Sequence, residues 1–69
     1  MSDSVYKVIE LVGTSTESWE KAAHNAIETA AKQLRDLRIA EVSQLDAQLE
    51  EGKIVRYRAK VKISFRYES

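Results

Sequence analysis

The segment from Lys53 to Tyr67 alternates between apolar and mostly basic side chains, and this alternation constrains the fold more than any other feature of the sequence. Successive side chains of a β-strand point to opposite faces of a sheet, so the pattern predicts a long strand with one apolar face and one basic face. The rest of the chain must cover the apolar face, pair with the strand's backbone and balance five positive charges. The apolar face would contain Tyr57, Ala59, Val61, Ile63, Phe65 and Tyr67, and the basic face Arg56, Arg58, Lys60, Lys62, Ser64 and Arg66.

The chain has 69 residues, which predicts one domain, 1–69, near the lower size limit for a single hydrophobic core. Ordering a residue costs about 1.5 kcal/mol, and chains this short usually need disulfides, a metal or association to offset that cost. Cysteine is absent, and His24 is the single histidine. Self-association is therefore the expected source of additional stability.

Eleven basic and eleven acidic residues give a formal net charge of zero, so there is no global field that would attract nucleic acid or an anionic membrane. No apolar segment approaches the ~20 residues that span a bilayer, and Met1 to Ser4 do not resemble a leader. Tyr57 and Tyr67 lie on the opposite face from the arginines, which argues against a base-stacking surface. We expect a cytoplasmic protein with neither a nucleic-acid nor a membrane partner.

A first strand is predicted over Val5 to Val12, a segment rich in β-branched residues that is typical of a strand covered on both faces. Gly13 is predicted to end it. The hydroxyl side chains that follow can cap a helix, so a helix is expected to begin near Ser15 or Thr16.

The predicted helix runs from Glu17 to about Leu37, because apolar residues recur there at helical spacing. The middle of this stripe is alanine-rich, which would let the helix axis lie close to the sheet. Trp19, in the first turn, is expected to be a packing anchor rather than a ligand platform. The full stripe is Trp19, Ala23, Ala26, Ile27, Ala30, Leu34 and Leu37.

Arg38 to Glu50 is predicted to form a long, bent or bulged second strand, because its apolar residues alternate imperfectly. A polar turn from Glu50 to Lys53 would join it to the last strand as an antiparallel hairpin. Glu41, Asp46 and Glu50 would then lie near the basic row. The order β-α-β-β predicts an α+β fold, with a three-stranded antiparallel sheet wrapped around one helix.

The basic face of the sheet has two possible environments. It could be a solvated face, which is ordinary for charged strands. Alternatively, a closed assembly of copies could cover it and pair its long side chains across subunit boundaries.

Catalytic motifs are absent from the sequence, and we expect no enzymatic activity. His24 has no cysteine nucleophile to activate, and Gly13 with the hydroxyl residues after it lacks the further glycines of a phosphate-binding loop. The carboxylates lack the spacing of a calcium loop. A metal site assembled between subunits would not be visible in one chain's sequence.

Several segments together resemble the dodecins, over nearly the whole chain. They are the first strand with its Val12-Gly13-Thr14-Ser15 ending, the helix beginning Ser18-Trp19-Glu20, the Ala40-Glu41-Val42 segment and the last strand from Tyr57 to Phe65. The resemblance implies a β-α-β-β fold, a hollow homo-dodecamer, and non-enzymatic binding of small molecules. The implied ligands are flavins such as riboflavin or FMN, or coenzyme A in some members.

The resemblance also implies the cofactor-binding positions, at Arg38, Ile39, Gln44 and Arg58. Flavin-binding dodecins carry a tryptophan that stacks on the flavin where this chain has Ile39, and a glutamine that bonds the flavin ring where it has Arg58. The sequence is closer to the branch that lacks the tryptophan and is associated with calcium. Three hypotheses follow: a shell that binds a small ligand, a calcium-binding or purely structural shell, and a binder of phosphate-bearing ligands through Arg56, Arg58 and Lys60.

Overall fold

The computed structural model describes residues 4–67 and contains three strands and one helix. The elements are β1 (Tyr6–Ser15), α1 (Trp19–Gln33), β2 (Leu37–Glu50) and β3 (Lys53–Arg66). The strands form one sheet in the order β1-β3-β2, and both neighbouring pairs are antiparallel. The predicted fold, a three-stranded antiparallel sheet with one helix, is confirmed.

The alternating strand β3 is the central strand, so its backbone is paired on both sides. Its apolar side chains face α1, and Ala59, Val61 and Ile63 are fully buried there. The helix contributes small residues to the same core, as its alanine-rich stripe predicts. These are Ala22, Ala26 and Ala30.

β1 extends three residues beyond its predicted end, so the prediction that Gly13 stops the strand is wrong. Gly13 lies within the strand, in register with Ala59. A Cβ atom at this position would clash with the backbone carbonyl oxygen of Ala22 and lie 2.9 Å from the Cβ atom of Ala26. The glycine is therefore explained by the close approach of helix and strand rather than by a turn.

The helix begins at Trp19, later than the predicted start near Ser15 or Thr16. Ser18 is the N-cap, and its Oγ accepts a 3.0 Å hydrogen bond from the backbone N–H of Lys21. Ser15 instead ends β1, and its Oγ accepts a 2.9 Å hydrogen bond from the backbone N–H of Glu17. Both serines satisfy free backbone donors, but only Ser18 caps the helix.

The helix ends at Gln33, four residues before the predicted end at Leu37. Leu34 is already extended, although its N–H donates a 2.9 Å hydrogen bond to the carbonyl of Ala30. Asp36 has a φ of 59°, which reverses the chain into β2. Leu34 and Leu37 still pack against the core, and this contact explains why they continued the apolar pattern.

β2 shows three register irregularities against β3, which confirms the predicted bulged strand. The predicted hairpin is also confirmed: Glu51 and Gly52 form its turn with φ values of 52° and 78°. No helix among residues 4–67 is long and apolar enough to cross a membrane.

Candidate functional site

The sheet face turned away from α1, called here the outer face, carries the basic row of β3. Residues in register lie on the same side of an antiparallel sheet, so the pairing assigns the neighbours of each basic residue. The outer face contains Tyr6, Val8, Glu10, Val12 and Thr14 from β1, Arg56, Arg58, Lys60, Lys62, Ser64 and Arg66 from β3, and Ile39, Glu41, Gln44, Asp46 and Gln48 from β2.

Two members of the basic row have carboxylates as register neighbours. Lys62 lies between Glu10 and Glu41, and Arg58 lies opposite Asp46. The Arg58 guanidinium donates two hydrogen bonds to the Asp46 carboxylate, of 2.7 Å from Nε and 2.9 Å from the second nitrogen. The predicted proximity of Glu41 and Asp46 to the basic row is therefore confirmed, whereas Glu50 lies opposite Lys53, outside the row.

The ion pair changes the ionisation of both partners in the direction that favours their charged forms. Hydrogen bonding from Arg58 holds the pKa of Asp46 below its ordinary value, and the carboxylate raises the pKa of Arg58. The two-point geometry also fixes the plane of the guanidinium. Arg58 is therefore a positioned side chain with most of its charge already balanced.

The other three basic residues of the row have uncharged register neighbours. Lys60 lies between Val12 and Gln44, Arg56 lies opposite Gln48, and Arg66 lies opposite Tyr6. Their positive charges are the ones most readily available to a negatively charged ligand.

Toward its other end, the outer face carries an apolar patch between Lys62 and Arg66. Ser64 lies between Val8 and Ile39, which are 56% and 63% exposed. The distance along β3 from Ser64 to Arg58 spans six residues, or about 20 Å. The outer face thus has an exposed apolar patch about 20 Å from the Asp46–Arg58 pair, with Lys62 and Arg66 on either side of the patch.

Three of the four candidate cofactor-binding residues share this face. Ile39 lies in its apolar patch, Gln44 beside Lys60, and Arg58 opposite Asp46. The chain does not gather them into one compact pocket, because they are spread along the strand direction. Arg38 is exposed and lies at the register irregularity between Leu37 and Ile39, without a register partner on β3.

A second surface lies on the helix side of the sheet and was not predicted from the sequence. The helix lies over β1 and β3 and leaves the helix-side residues of β2 uncovered: Val42 is 46% exposed and Leu45 53%. Together with Trp19, Ala23 and Ile27 they line an open groove of about 470 Å³, edged by Glu20 and His24. We call this the β2 groove. In the sequence, this surface was indicated by Val42 and Leu45, apolar residues of β2 for which no contact had been predicted.

Trp19 forms one end of the β2 groove and has contacts that fit a packing role. Its Nε1 donates a 2.8 Å hydrogen bond to the backbone carbonyl of Asp46. Its ring meets Tyr57 edge to face, with centroids 4.8 Å apart and an interplanar angle of 71°. The start of the helix is thereby attached to both β2 and β3.

The sequence of residues 5–68 matches the family model Dodecin. The chain belongs to the dodecin family. Calcium dodecin from Mycobacterium tuberculosis is 41% identical over 63 residues, which are 91% of this chain and 89% of that protein. Dodecin from Thermus thermophilus is 39% identical over 64 residues, 93% of each chain.

Solved dodecin structures share the whole fold. A dodecin from Streptomyces coelicolor superposes with a TM-score of 0.92 at 38% identity, covering 100% of this chain and 99% of its own. The Mycobacterium tuberculosis calcium dodecin, described as calcium-chelating with a novel calcium-binding site, gives a TM-score of 0.84 at 40% identity, covering 94% and 93%. Dodecin family members form homo-oligomers.

Proposed function

We propose that this chain is a non-enzymatic, cytoplasmic, homo-oligomeric protein that binds or stores a small molecule on the outer face of its sheet. In this proposal twelve copies form a hollow shell, and the ligand lies where outer faces of different copies meet. Membership of the dodecin family supports the assembly. The observation that carries the ligand site is the outer face itself, which exposes an apolar patch, Val8 and Ile39, within a row of cations.

The outer face fits an amphipathic ligand with an apolar ring and a polar or anionic tail. Val8 and Ile39 offer apolar surface to the ring, and Gln44, Lys60 and Arg58 offer hydrogen bonds and positive charge to the tail. Flavins and coenzyme A have this character. Because one chain spreads these residues over about 20 Å, the proposal requires a second copy to complete the pocket.

We propose weak flavin binding, because Ile39 supplies no aromatic face. Stacking on an aromatic ring contributes roughly 1 to 3 kcal/mol, judged from nucleobases, so an aromatic residue here should strengthen binding about tenfold to a hundredfold. Titration of riboflavin and FMN, followed by quenching of flavin fluorescence, compares the wild type with Ile39→Trp and with the matched aliphatic variant Ile39→Leu. Tight quenching by the wild type, or no gain with tryptophan, would contradict this account.

A calcium-binding or purely structural shell is the second candidate. It is favoured by the similarity to a relative that is named as a calcium dodecin. Carboxylates from several copies would supply oxygen ligands to the ion. Calorimetric titration of calcium into chelator-treated protein tests the metal version, which is excluded if neither heat nor a change in thermal stability is observed.

A third candidate, a phosphate-bearing ligand, depends on the cations of β3. Lys60 and Arg56 have uncharged register neighbours, whereas Arg58 already pairs with Asp46. Coenzyme A or FMN binding that falls steeply with salt, and falls more with Lys60→Gln than with Arg58→Gln, would support this version. Salt-independent binding would count against it.

A further inference from the structure

Asp46 reaches the outer face because β2 contains a bulge. The register of β2 against β3 moves from Val42 to Gln44, so Ser43 is an extra residue in the strand. The Ser43 hydroxyl donates a 3.2 Å hydrogen bond to the backbone carbonyl of Lys60, which holds the bulge in place. One extra residue exchanges the faces of the residues that follow it, and without it Asp46 would lie on the helix side of the sheet.

Two sets of contacts fix the position of Asp46 on this face. The indole of Trp19 donates a 2.8 Å hydrogen bond to the backbone carbonyl of Asp46, so the carboxylate projects from an anchored backbone. The carboxylate oxygens accept hydrogen bonds of 2.7 Å and 2.9 Å from Arg58. The side chains of Arg58 and Asp46 are 47% and 40% exposed, so a ligand on the outer face can reach both of them.

The ion pair occupies one edge of the Arg58 guanidinium and leaves its other N–H donors available to a ligand. Asp46 accepts one hydrogen bond from Nε and one from Nη2, and a guanidinium has further donors in the same plane. The carboxylate fixes that plane and cancels the positive charge of Arg58. Arg58 therefore presents oriented hydrogen-bond donors with little net charge.

These donors suit an uncharged oxygen atom better than a phosphate. A carbonyl or hydroxyl oxygen needs a donor but no opposite charge. A phosphate near Arg58 would also lie near the Asp46 carboxylate, and the repulsion between the two anions would offset the attraction to the guanidinium. Asp46 acts on Lys60 in the same way, since the charge of Lys60 is close enough to lower the pKa of Asp46.

We propose that Asp46 determines ligand specificity by positioning and neutralising Arg58, so that this part of the outer face binds uncharged oxygen acceptors and discriminates against phosphate. The favoured ligand is an apolar ring compound whose polar groups are carbonyls and hydroxyls. The inference rests on the proposed function and adds that the unphosphorylated form of the ligand is preferred. Asp46 acts through Arg58 and is a positioning residue.

Riboflavin and FMN are matched probes for this discrimination, because they differ only in a phosphate group. Quenching of flavin fluorescence gives a dissociation constant for each, and the ratio of the two constants measures the discrimination. Asp46→Asn should strengthen FMN binding relative to riboflavin binding about tenfold, the value of one charge-assisted hydrogen bond, and should change riboflavin binding less than about twofold. Asp46→Glu keeps the charge and should retain the wild-type ratio.

Two further variants separate the action through Arg58 from a general effect of charge. Glu28→Gln removes the same charge from an exposed position of α1, on the other side of the sheet, and should leave the ratio at its wild-type value. Asp46→Asn combined with Arg58→Gln should return the ratio toward the wild-type value, because the freed guanidinium is no longer present.

An unchanged ratio in Asp46→Asn, or a ratio that stays raised in the double variant, would overturn the inference. If both probes bind and the ratio does not respond to Asp46→Asn, only the role of Asp46 is contradicted. If neither probe binds to the wild-type protein, the ligand site of the proposed function is contradicted together with the inference.

Discussion

Trp19 and Asp46 are joined by a 2.8 Å hydrogen bond from the indole Nε1 to the backbone carbonyl, across 27 positions of sequence. The Asp46 side chain pairs with Arg58 on the outer face. One residue of β2 therefore holds both the first turn of the helix and a cation of the candidate ligand surface.

Trp19→Phe should destabilise the fold by about 0.5 to 1.5 kcal/mol, toward the lower value, because the hydrogen bond is exposed and water can replace it. Trp19→Ala should cost more, since it also removes the edge-to-face contact with Tyr57. Urea denaturation followed by circular dichroism measures both. Equal stability of the phenylalanine variant and the wild type would show that the indole donor contributes nothing.

The Asp46–Arg58 pair should make stability depend on pH in the acid range. The pKa of Asp46 is lower in the folded chain than its ordinary value of 3.8, so its contribution is present above pH 3.8 and is lost as the pH falls through the folded-state pKa. Wild type should be more stable than Asp46→Asn near pH 6, and the difference should shrink below pH 3.8. The control is the same Asp46→Asn substitution made in an Arg58→Gln background, where the trend should be much weaker because only Lys60 then lowers the pKa of Asp46. A difference that stays constant down to pH 2 would refute the role of the pair.

Gly13→Ala should destabilise the fold by about 3 kcal/mol, because the added Cβ meets a backbone carbonyl of α1 that cannot rotate away. Gly52→Ala is the matched control. Nothing lies within 4 Å of a Cβ at Gly52, and the expected cost of about 1 kcal/mol comes from its φ of 78° alone. Thermal denaturation of both variants should rank them in this order, and the reverse ranking would mean that helix and strand are not closely packed at Gly13.

Ala26→Leu should force α1 away from the sheet and cost about 1 to 3 kcal/mol, because Ala26 is 4% exposed and faces Gly13. The same substitution at the exposed Ala31 should change stability by less than about 0.5 kcal/mol. Similar stability of the two variants would indicate that the alanine stripe is not the packed face of the helix.

The sequence predicted those parts of the fold that follow from local periodicity. The alternation around Val61 identified the central strand, and the spacing of Ala26 and Ala30 identified the packed face of the helix. Gly13 was misread because a glycine at a turn and a glycine at a close contact look alike in one sequence. The end of the helix was misplaced because Leu37 continues the apolar pattern from β2.

The sequence identified individual residues of the candidate site, but it did not predict how those residues are arranged in space. Membership of the family gave Ile39 and Arg58 as positions of interest, yet their separation along the sheet follows from the strand pairing. The contact of Arg58 with Asp46 depends on two register irregularities earlier in β2. The β2 groove depends on the helix lying over β1 and β3, which is a tertiary property that no local pattern specifies.

Native mass spectrometry of the protein purified from its own host tests the central claim most directly, since it reports the number of copies and any retained small molecule together. The account predicts a homo-dodecamer, with any additional mass corresponding to a bound small molecule or metal ion. A single, folded copy at micromolar concentration would contradict both the shell and the shared ligand site.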